Sequence, residues 1–287
     1  MTIQLSKYAG FCEGVKRAYN LINSFDMQKA KNPVYILGAL VHNPAVNKEV
    51  KEKGIHSIKR KDFLQASAGD IGTLIITAHG IGPDIYSAAR KKNIAIVDTT
   101  CPKVIKVQKL AKFFGKIKYT IVIVGDREHK EVQGIDDWGG GKSVIISDED
   151  DLKNIDLSQA KKIAVLSQTT QNEIFFKKAA HRIQNKYPAR LVKMFNTTCD
   201  TTQRRQKEVK ELARKNGAVL VIGSETSANS RRLFEISRSL NPKSYFIDRA
   251  EDINQAWFLG IKKVGLTAGA STPPWIVKEV VAYLKNM

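Results

Sequence analysis

Three cysteines are the first candidates for metal ligands in this sequence. Cys12, Cys101 and Cys199 stand in the segments GFCEGVKRA, DTTCPKV and NTTCDTT. Each precedes a stretch with helical character, and Pro102 suits the first position of such a helix. The positive end of a helix stabilises a thiolate, which is the form of cysteine that binds metals. The shared context indicates that the three thiols converge on one metal centre and are not ordinary buried cysteines.

The spacing of the cysteines bears on the choice of metal. Structural zinc usually takes four protein ligands, often in C-x-x-C pairs, and no such pair occurs here. A catalytic zinc with three thiolates stays open, although such an ion is electron-rich and a poor Lewis acid. Iron–sulfur clusters are commonly held by thiolates. Three cysteines on a four-iron cluster would leave one iron without a protein ligand and open to a substrate oxygen.

A threefold repeat organises the polar residues that follow the cysteines. One polar group follows each cysteine after about thirty residues and a second after about seventy. These pairs are His42 and His79 after Cys12, His129 and Thr169 after Cys101, and Ser227 and Ser271 after Cys199. The repeat predicts three small units, formed by residues 14–100, residues 101–197, and residues 198–287 together with 1–13.

The fold class follows from alternating apolar runs and amphipathic stretches, which are typical of α/β proteins with parallel sheets. The strand candidates are Val34–Leu40, Thr73–Thr77, Ala95–Val97, Thr120–Val124, Val144–Ile146, Ile163–Leu166, Leu191–Phe195, Val219–Ile222, Tyr245–Ile247 and Val264–Thr267. Ligand sites in parallel sheets collect beyond the carboxyl ends of the strands. The polar groups of the repeat follow these strands, so we expect them to line a common site.

The polar groups indicate an anionic ligand. His42, His79 and His129 are three of the five histidines, and they lie in these loops. Imidazole, hydroxyl and amide groups such as those of Ser227, Asn229 and Ser271 can together hold a diphosphate. No Walker A motif is present, so nucleotide triphosphate chemistry is not indicated. Glu131, two residues after His129, is the candidate proton donor.

Composition is ordinary for a globular chain of 287 residues, with 43% hydrophobic and 26% charged residues. No apolar run is long enough to span a membrane, and no signal peptide is evident. Three cysteines without a disulfide framework favour a reducing cytoplasm. The net charge of +19 fits a lysine-rich solvated surface, anionic substrates, an acidic protein partner or nucleic acid.

The motifs resemble, in chain order, those of the LytB family of 4-hydroxy-3-methylbut-2-enyl diphosphate reductases. The matching segments are GFCEGVKRA, VHN, AHG, DTTCPKV, HKEVQGI, SQTTQ, NTTCDTTQRRQ, SETSANSRRL and AGASTPPW. The resemblance implies three similar α/β units in a pseudo-threefold, three-lobed arrangement around a central iron–sulfur cluster. It also implies conversion of an allylic diphosphate alcohol to isopentenyl and dimethylallyl diphosphates, the last step of the methylerythritol phosphate route.

Site roles follow from the same resemblance. It implies that Cys12, Cys101 and Cys199 hold a [4Fe-4S] cluster with one iron lacking a protein ligand, and that Glu131 is catalytic. The implied substrate-binding residues are His42, His79, His129, Thr169, Ser227, Ala228, Asn229 and Ser271. The family often has two serines before the asparagine, whereas this chain has Ser227-Ala228-Asn229, so Ala228 would contact diphosphate through its backbone alone.

The implied partners are the diphosphate substrate and an acidic electron donor, a ferredoxin or a flavodoxin. Two electrons would enter through the cluster, Glu131 would help to deliver a proton, and water would leave. The resemblance also suggests a monomer, without a membrane or nucleic-acid partner. The alternative is a basic nucleic-acid-binding protein with a structural metal, which explains the charge but gives the His, Ser and Asn groups no role.

Overall fold

The computed structural model describes all 287 residues. The strands are β1 (Thr2–Leu5), β2 (Val34–Leu37), β3 (His56–Ile58), β4 (Thr73–Ile76), β5 (Ala95–Asp98), β6 (Thr120–Val124), β7 (Val144–Ile146), β8 (Lys162–Ser167), β9 (Leu191–Met194), β10 (Ala218–Ile222), β11 (Ser244–Ile247) and β12 (Lys263–Ala268). The helices are α1 (Glu13–Asn23), α2 (Pro44–Glu52), α3 (Arg60–Gln65), α4 (Pro83–Lys91), α5 (Pro102–Lys116), α6 (Lys130–Gly139), α7 (Glu149–Asn154), α8 (Glu173–Lys186), α9 (Asp200–Lys215), α10 (Ala228–Leu240) and α11 (Pro274–Lys285). Short 3-10 turns lie at Ala250–Asp252 and Gln255–Phe258.

The strands form three parallel sheets of four strands each. Their orders are β3-β2-β4-β5, β7-β6-β8-β9 and β11-β10-β12-β1. Within each sheet, we number the strands in the order in which the repeat supplies them, so that β1 counts as the fourth strand of the last sheet. The first strand then lies between the second and the third, and the fourth strand pairs with the third. β1, from the N-terminus, takes the fourth place in the last sheet, where Ile3 aligns with Val264. The repeated order confirms the predicted α/β class with three similar units.

Two compact units contain these sheets. The smaller unit comprises residues 1–16, 41–49 and 200–287 and holds the sheet completed by β1. The larger unit comprises residues 17–40 and 50–199 and holds the other two sheets. The sequence predicted three units, and each of them contains the strands of one sheet. Their boundaries remain a prediction: residues 14–100, residues 101–197, and residues 198–287 with 1–13.

The central strands form because their apolar residues are continuous. All residues of β4 and β10 are buried, which is typical of parallel strands covered by helices on both faces. Side chains of β10 alternate between the α11 layer and the α9–α10 layer. In the larger unit, residues of β6 alternate in the same way between α8 and the α5–α6 pair. Each fully buried aliphatic side chain contributes about 1.5–3 kcal/mol, so the sheets are firm supports for the loops at their ends.

The sequence predicted a strand over Val34–Leu40, and its predicted end at Leu40 is wrong. β2 ends at Leu37 because Gly38 adopts a φ of +84°, in the left-handed region that favours glycine. The N–H of Gly38 then donates to the carbonyl of Ile58 at 2.9 Å. The prediction also missed β1 and β3. No helix of the structure has both the length and the apolar character needed to cross a membrane.

Candidate functional site

Each cysteine lies immediately before a helix: Cys12 before α1, Cys101 as the N-cap residue of α5, and Cys199 before α9. None of the three forms a disulfide, and all three are partly exposed. In each case the backbone N–H of the cysteine donates to a carbonyl just beyond the end of an interior strand, which is β12, β4 or β8. The acceptors are Ala270 at 3.1 Å for Cys12, Ala78 at 3.0 Å for Cys101 and Thr169 at 2.8 Å for Cys199. The repeat therefore gives the three thiols the same local geometry.

A position at the start of a helix suits a cysteine that binds a metal. The N-terminal turn of a helix presents unpaired N–H groups and a partial positive charge to the sulfur. At Cys12, the N–H of Val15 donates to Sγ at 3.4 Å. Thiolates are soft ligands that suit iron–sulfur clusters, zinc and copper(I) and do not suit magnesium or calcium. Three cysteines in equivalent positions, outside any disulfide and without a C-x-x-C pair, fit an iron–sulfur cluster.

His129 is oriented by the helix that it caps. It is the N-cap residue of α6, and its Nδ1 accepts the N–H of Glu131 at 3.2 Å. Because Nδ1 is an acceptor, the neutral ring carries its proton on Nε2 and can donate it to an anion. The ring of His79 meets the ring of His129 edge to face, with the centroids 5.4 Å apart. Two of the three predicted anion-binding histidines therefore lie together.

Glu131 is a buried carboxyl group with a tuned acidity. It is 2% exposed. Its Oε1 accepts the N–H of Thr169 at 2.6 Å, and its Oε2 accepts the hydroxyl of Thr169 at 2.9 Å. Burial raises the pKa of Glu131 to about 7, although both bonds from Thr169 act to lower it. A carboxyl with this pKa is partly protonated near neutral pH, which suits a proton donor.

Hydrogen bonds and one ring contact connect Cys101 to Cys199 in the larger unit. They pass through Cys101, Ala78, His79, His129, Glu131, Thr169 and Cys199. The only covalent step in this series is the peptide bond between Ala78 and His79. The structure therefore brings together all the predicted site residues of this unit, on the ends of two sheets.

A second group of predicted residues meets in the smaller unit. Ser227 is the N-cap residue of α10, and its Oγ accepts the N–H of Ser230 at 3.3 Å. The hydroxyl of Ser271 lies 3.1 Å from the carbonyl oxygen of His42 and 3.3 Å from Oγ of Ser227. Ser271 also follows the residue whose carbonyl accepts the N–H of Cys12. His42, both serines and Cys12 are thus connected.

Asn229 provides the clearest sign of a polar ligand in this group. It is 5% exposed, and neither Oδ1 nor Nδ2 has a hydrogen-bond partner. Buried amides are normally paired, so these atoms mark a position where a polar group is expected. Asn229 lies in the first turn of α10, where free N–H groups attract anions. Ala228, the first residue of that helix, can offer only its backbone N–H.

Arg205 is a residue that the sequence analysis did not single out. It is 2% exposed, and its Nη1 donates to the carbonyl of Ala268 at 2.7 Å while its Nη2 donates to the carbonyl of Gly10 at 2.6 Å. The guanidinium group therefore holds the end of β12 against the turn that precedes Cys12. One feature of the sequence could have indicated this role: Arg205 is a charged residue on the apolar face of α9, between the buried Thr202 and Val209.

We expect Arg205→Lys to loosen the turn that carries Cys12, because an ammonium group cannot reproduce the planar fork that binds two carbonyls. Loss of a charged, buried hydrogen bond costs about 1.5–3 kcal/mol, so urea unfolding should shift to lower concentration. The cysteine-alkylation rate of the metal-free protein should rise at Cys12. Arg204→Lys, at the neighbouring exposed position, is the matched control. Equal behaviour of the two variants would contradict a positioning role for Arg205.

Comparisons with known proteins agree with this arrangement. A family model described as LytB protein matches residues 3–285. The 4-hydroxy-3-methylbut-2-enyl diphosphate reductase of Pelobacter propionicus is 40% identical, over 98% of this chain and 96% of the relative. The reductase of the same name from Aquifex aeolicus is 36% identical, over 99% of this chain and 96% of the relative.

Two solved structures are similar throughout. One is a structure of (E)-4-hydroxy-3-methyl-but-2-enyl diphosphate reductase, described as the terminal enzyme of the non-mevalonate pathway. It is 35% identical, with a TM-score of 0.70 over the whole of both chains. The other is the E-1-hydroxy-2-methyl-but-2-enyl-4-diphosphate reductase from Plasmodium falciparum, 28% identical, with a TM-score of 0.90 over 99% of this chain and 88% of that one.

Proposed function

The chain belongs to the LytB family, and we propose on that premise that it reduces (E)-4-hydroxy-3-methylbut-2-enyl diphosphate to isopentenyl and dimethylallyl diphosphates. This reaction is the last step of the methylerythritol phosphate route to isoprenoids. The observation that carries the proposal is the equivalent placement of three cysteines at helix N-termini, beside strand ends rich in anion-binding groups.

Cys12, Cys101 and Cys199 hold the iron–sulfur cluster in this proposal. The enzymes of the family are iron–sulfur reductases, and three protein thiolates match a [4Fe-4S] cluster with one iron lacking a protein ligand. When bound, the cluster supplies the electrons for cleavage of the carbon–oxygen bond. The threefold repeat supports this assignment, because it gives each cysteine the same backbone anchor.

The diphosphate is assigned to the histidines and to the start of α10. The residues are His42, His79, His129, Ser227, Ala228, Asn229 and Ser271. The unpaired amide of Asn229 and the Nε2–H of His129 are the donors that the structure best supports. Together with the first-turn N–H groups of α10, they would bind the diphosphate oxygens and fix the orientation of the substrate.

Glu131 donates a proton to the leaving hydroxyl group, with Thr169 beside it. The carbon–oxygen bond breaks, the oxygen leaves as water, and the allylic fragment gains two electrons. A second proton then adds to carbon. Protonation at one end of the allylic fragment gives isopentenyl diphosphate, and protonation at the other end gives dimethylallyl diphosphate. Thr169 can accept a hydrogen bond from the acid form of Glu131 or donate one to the carboxylate, so it stays paired throughout.

The pH dependence of turnover follows from the acidity of Glu131. Its pKa lies near 7, so the proton-donating form is lost as the pH rises through that value. We expect kcat at saturating substrate to fall above about pH 7. The same titration of Glu131→Gln should lack this fall, since no proton can be lost from the amide. A fall of the same size in both proteins would show that another group is responsible.

An acidic ferredoxin or flavodoxin is the proposed electron donor. The excess of 47 basic over 28 acidic side chains supports such a partner, because complementary charge speeds encounters. The cytoplasmic location and the monomeric state also remain predictions. The alternative nucleic-acid-binding function still gives no role to the unpaired amide of Asn229 or to the buried carboxyl of Glu131.

The function can be tested by spectroscopy of anaerobically prepared protein. We expect about four irons and four sulfides per chain, with broad visible absorption. Addition of the hydroxylated allylic diphosphate should change that absorption, and inorganic diphosphate alone should change it much less. A colourless protein that binds zinc stoichiometrically would contradict the proposal.

A further inference from the structure

Helix α5 is unusually cationic. Its 15 residues include no Asp or Glu. Its five lysines are Lys103, Lys106, Lys109, Lys112 and Lys116. All five are exposed, and Cys101 is the N-cap residue of the helix. The helix therefore carries a row of positive charge that begins at one of the three cysteines.

The outward face of α5 combines lysines with apolar side chains. Val104, Val107, Ala111 and Phe114 point into the core of the larger unit. The opposite side presents five residues, which we call the α5 face: Lys106, Lys109, Phe113, Lys116 and Ile117. At 100° per residue they fall within an arc of about 100°. Phe113 is 55% exposed and Ile117 is 43% exposed. An apolar centre with charge around it is typical of a protein-binding surface.

The charge on this face is not neutralised within the chain. On α8, Lys177 pairs with Glu173 at 2.8 Å and Lys178 pairs with Glu149 at 2.7 Å. No comparable ion pair involves the three lysines of the α5 face. Their field is therefore directed to solvent, where it can attract an acidic partner from a distance of about one Debye length, 8–10 Å.

We propose that the α5 face is the docking surface for an acidic one-electron donor protein. This inference rests on the proposed reductase function, which consumes two electrons per substrate and needs an external source. Lys106 lies about 8 Å from Cys101 along the helix axis, and Lys116 lies about 22 Å away. A donor seated near the first turns would give up one electron per encounter close to the proposed cluster ligand Cys101, and would leave oxidised.

The apolar part of this surface is small, as is typical of a short-lived interface. Pro102, Ile105 and Leu110 line a shallow groove with Lys106 and Lys109, next to Phe113 on the helix. Redox proteins that must dissociate after each electron transfer commonly bury less than about 1,200 Å². A single helix face of this length can supply an interface of that class.

The test compares charge reversal on this face with an equal reversal elsewhere. The variant is Lys106→Glu/Lys109→Glu, and the control is Lys262→Glu/Lys285→Glu, whose lysines are also exposed. Turnover would be driven by a plant-type ferredoxin and, separately, by dithionite. With ferredoxin at low salt, we expect kcat/KM for the donor to fall about 10–100-fold in the α5 variant. It should change much less in the control, and the difference should shrink as salt rises.

The dithionite arm separates this proposal from the proposed function. All three proteins should turn over at the same rate with dithionite, which also shows that they are folded. If the wild-type protein fails with dithionite, the reductase function itself is wrong. If dithionite works but both double variants lose ferredoxin-driven turnover equally, the charge acts without a defined face and the docking proposal fails. RNA binding that is lost only in the α5 variant, with unchanged ferredoxin kinetics, would assign the face to nucleic acid and overturn it.

Discussion

Replacing any one of Cys12, Cys101 or Cys199 by serine is expected to remove most of the bound iron and nearly all turnover. Each cysteine has the same anchor, a backbone hydrogen bond to a strand-end carbonyl at 2.8–3.1 Å. A serine keeps this bond and the helix start, so the fold should persist. The hydroxyl is a harder and far less acidic ligand than a thiol, and iron–sulfur clusters depend on thiolates.

The size of the effect can be bounded. Losing a group that merely orients a metal ligand typically costs 10–100-fold in affinity or activity, so losing a ligand itself should cost at least about 100-fold. The measurements are iron per chain after anaerobic reconstitution and the rate with a chemical reductant. Far-ultraviolet circular dichroism serves as the control for folding. A single variant with wild-type iron content and rate would remove that cysteine from the centre.

Glu131→Gln is expected to slow turnover by about 10²–10⁴-fold, the range typical for loss of a general acid. The amide keeps the size of the side chain and one acceptor for Thr169, but it has no proton to give to the leaving hydroxyl. Iron content and substrate binding should stay close to wild type. Glu128→Gln, an exposed acid in the turn just before α6, is the matched control and should be nearly silent.

The kinetic pattern distinguishes chemistry from binding. If Glu131 acts only on the bound substrate, kcat should fall while KM changes little. A large rise in KM with unchanged kcat would place Glu131 among the binding groups. A rate within a factor of two or three of wild type would leave its buried position and raised pKa without a catalytic role.

The sequence predicted the central strands well because most of them contain a continuous apolar run. Thr120–Val124 was predicted with the observed bounds, and so was the edge strand Val144–Ile146, because its three residues are all apolar. β1 and β3 were missed because they are short edge strands with mixed exposure, so neither shows a continuous apolar run. No pattern in TIQL could indicate that β1 pairs with β12 at the far end of the chain.

The candidate site was predictable where its residues share a local motif and not where they meet by packing. The helix start after each cysteine is encoded by its neighbours, as with Pro102. The bonds from Thr169 to Glu131 join residues 38 positions apart, and they exist only because β6 and β8 are adjacent. The role of Arg205 likewise depends on two carbonyls that are distant in sequence.

Reductive removal of the allylic hydroxyl group is the reaction at the heart of the proposed function. It is tested most directly by incubating the anaerobically reconstituted protein with (E)-4-hydroxy-3-methylbut-2-enyl diphosphate and dithionite, and identifying the products by mass spectrometry. We expect isopentenyl and dimethylallyl diphosphates, both formed with loss of the hydroxyl oxygen, and neither formed by the Cys101→Ser protein. Unchanged substrate in the presence of a fully loaded iron–sulfur centre would contradict it.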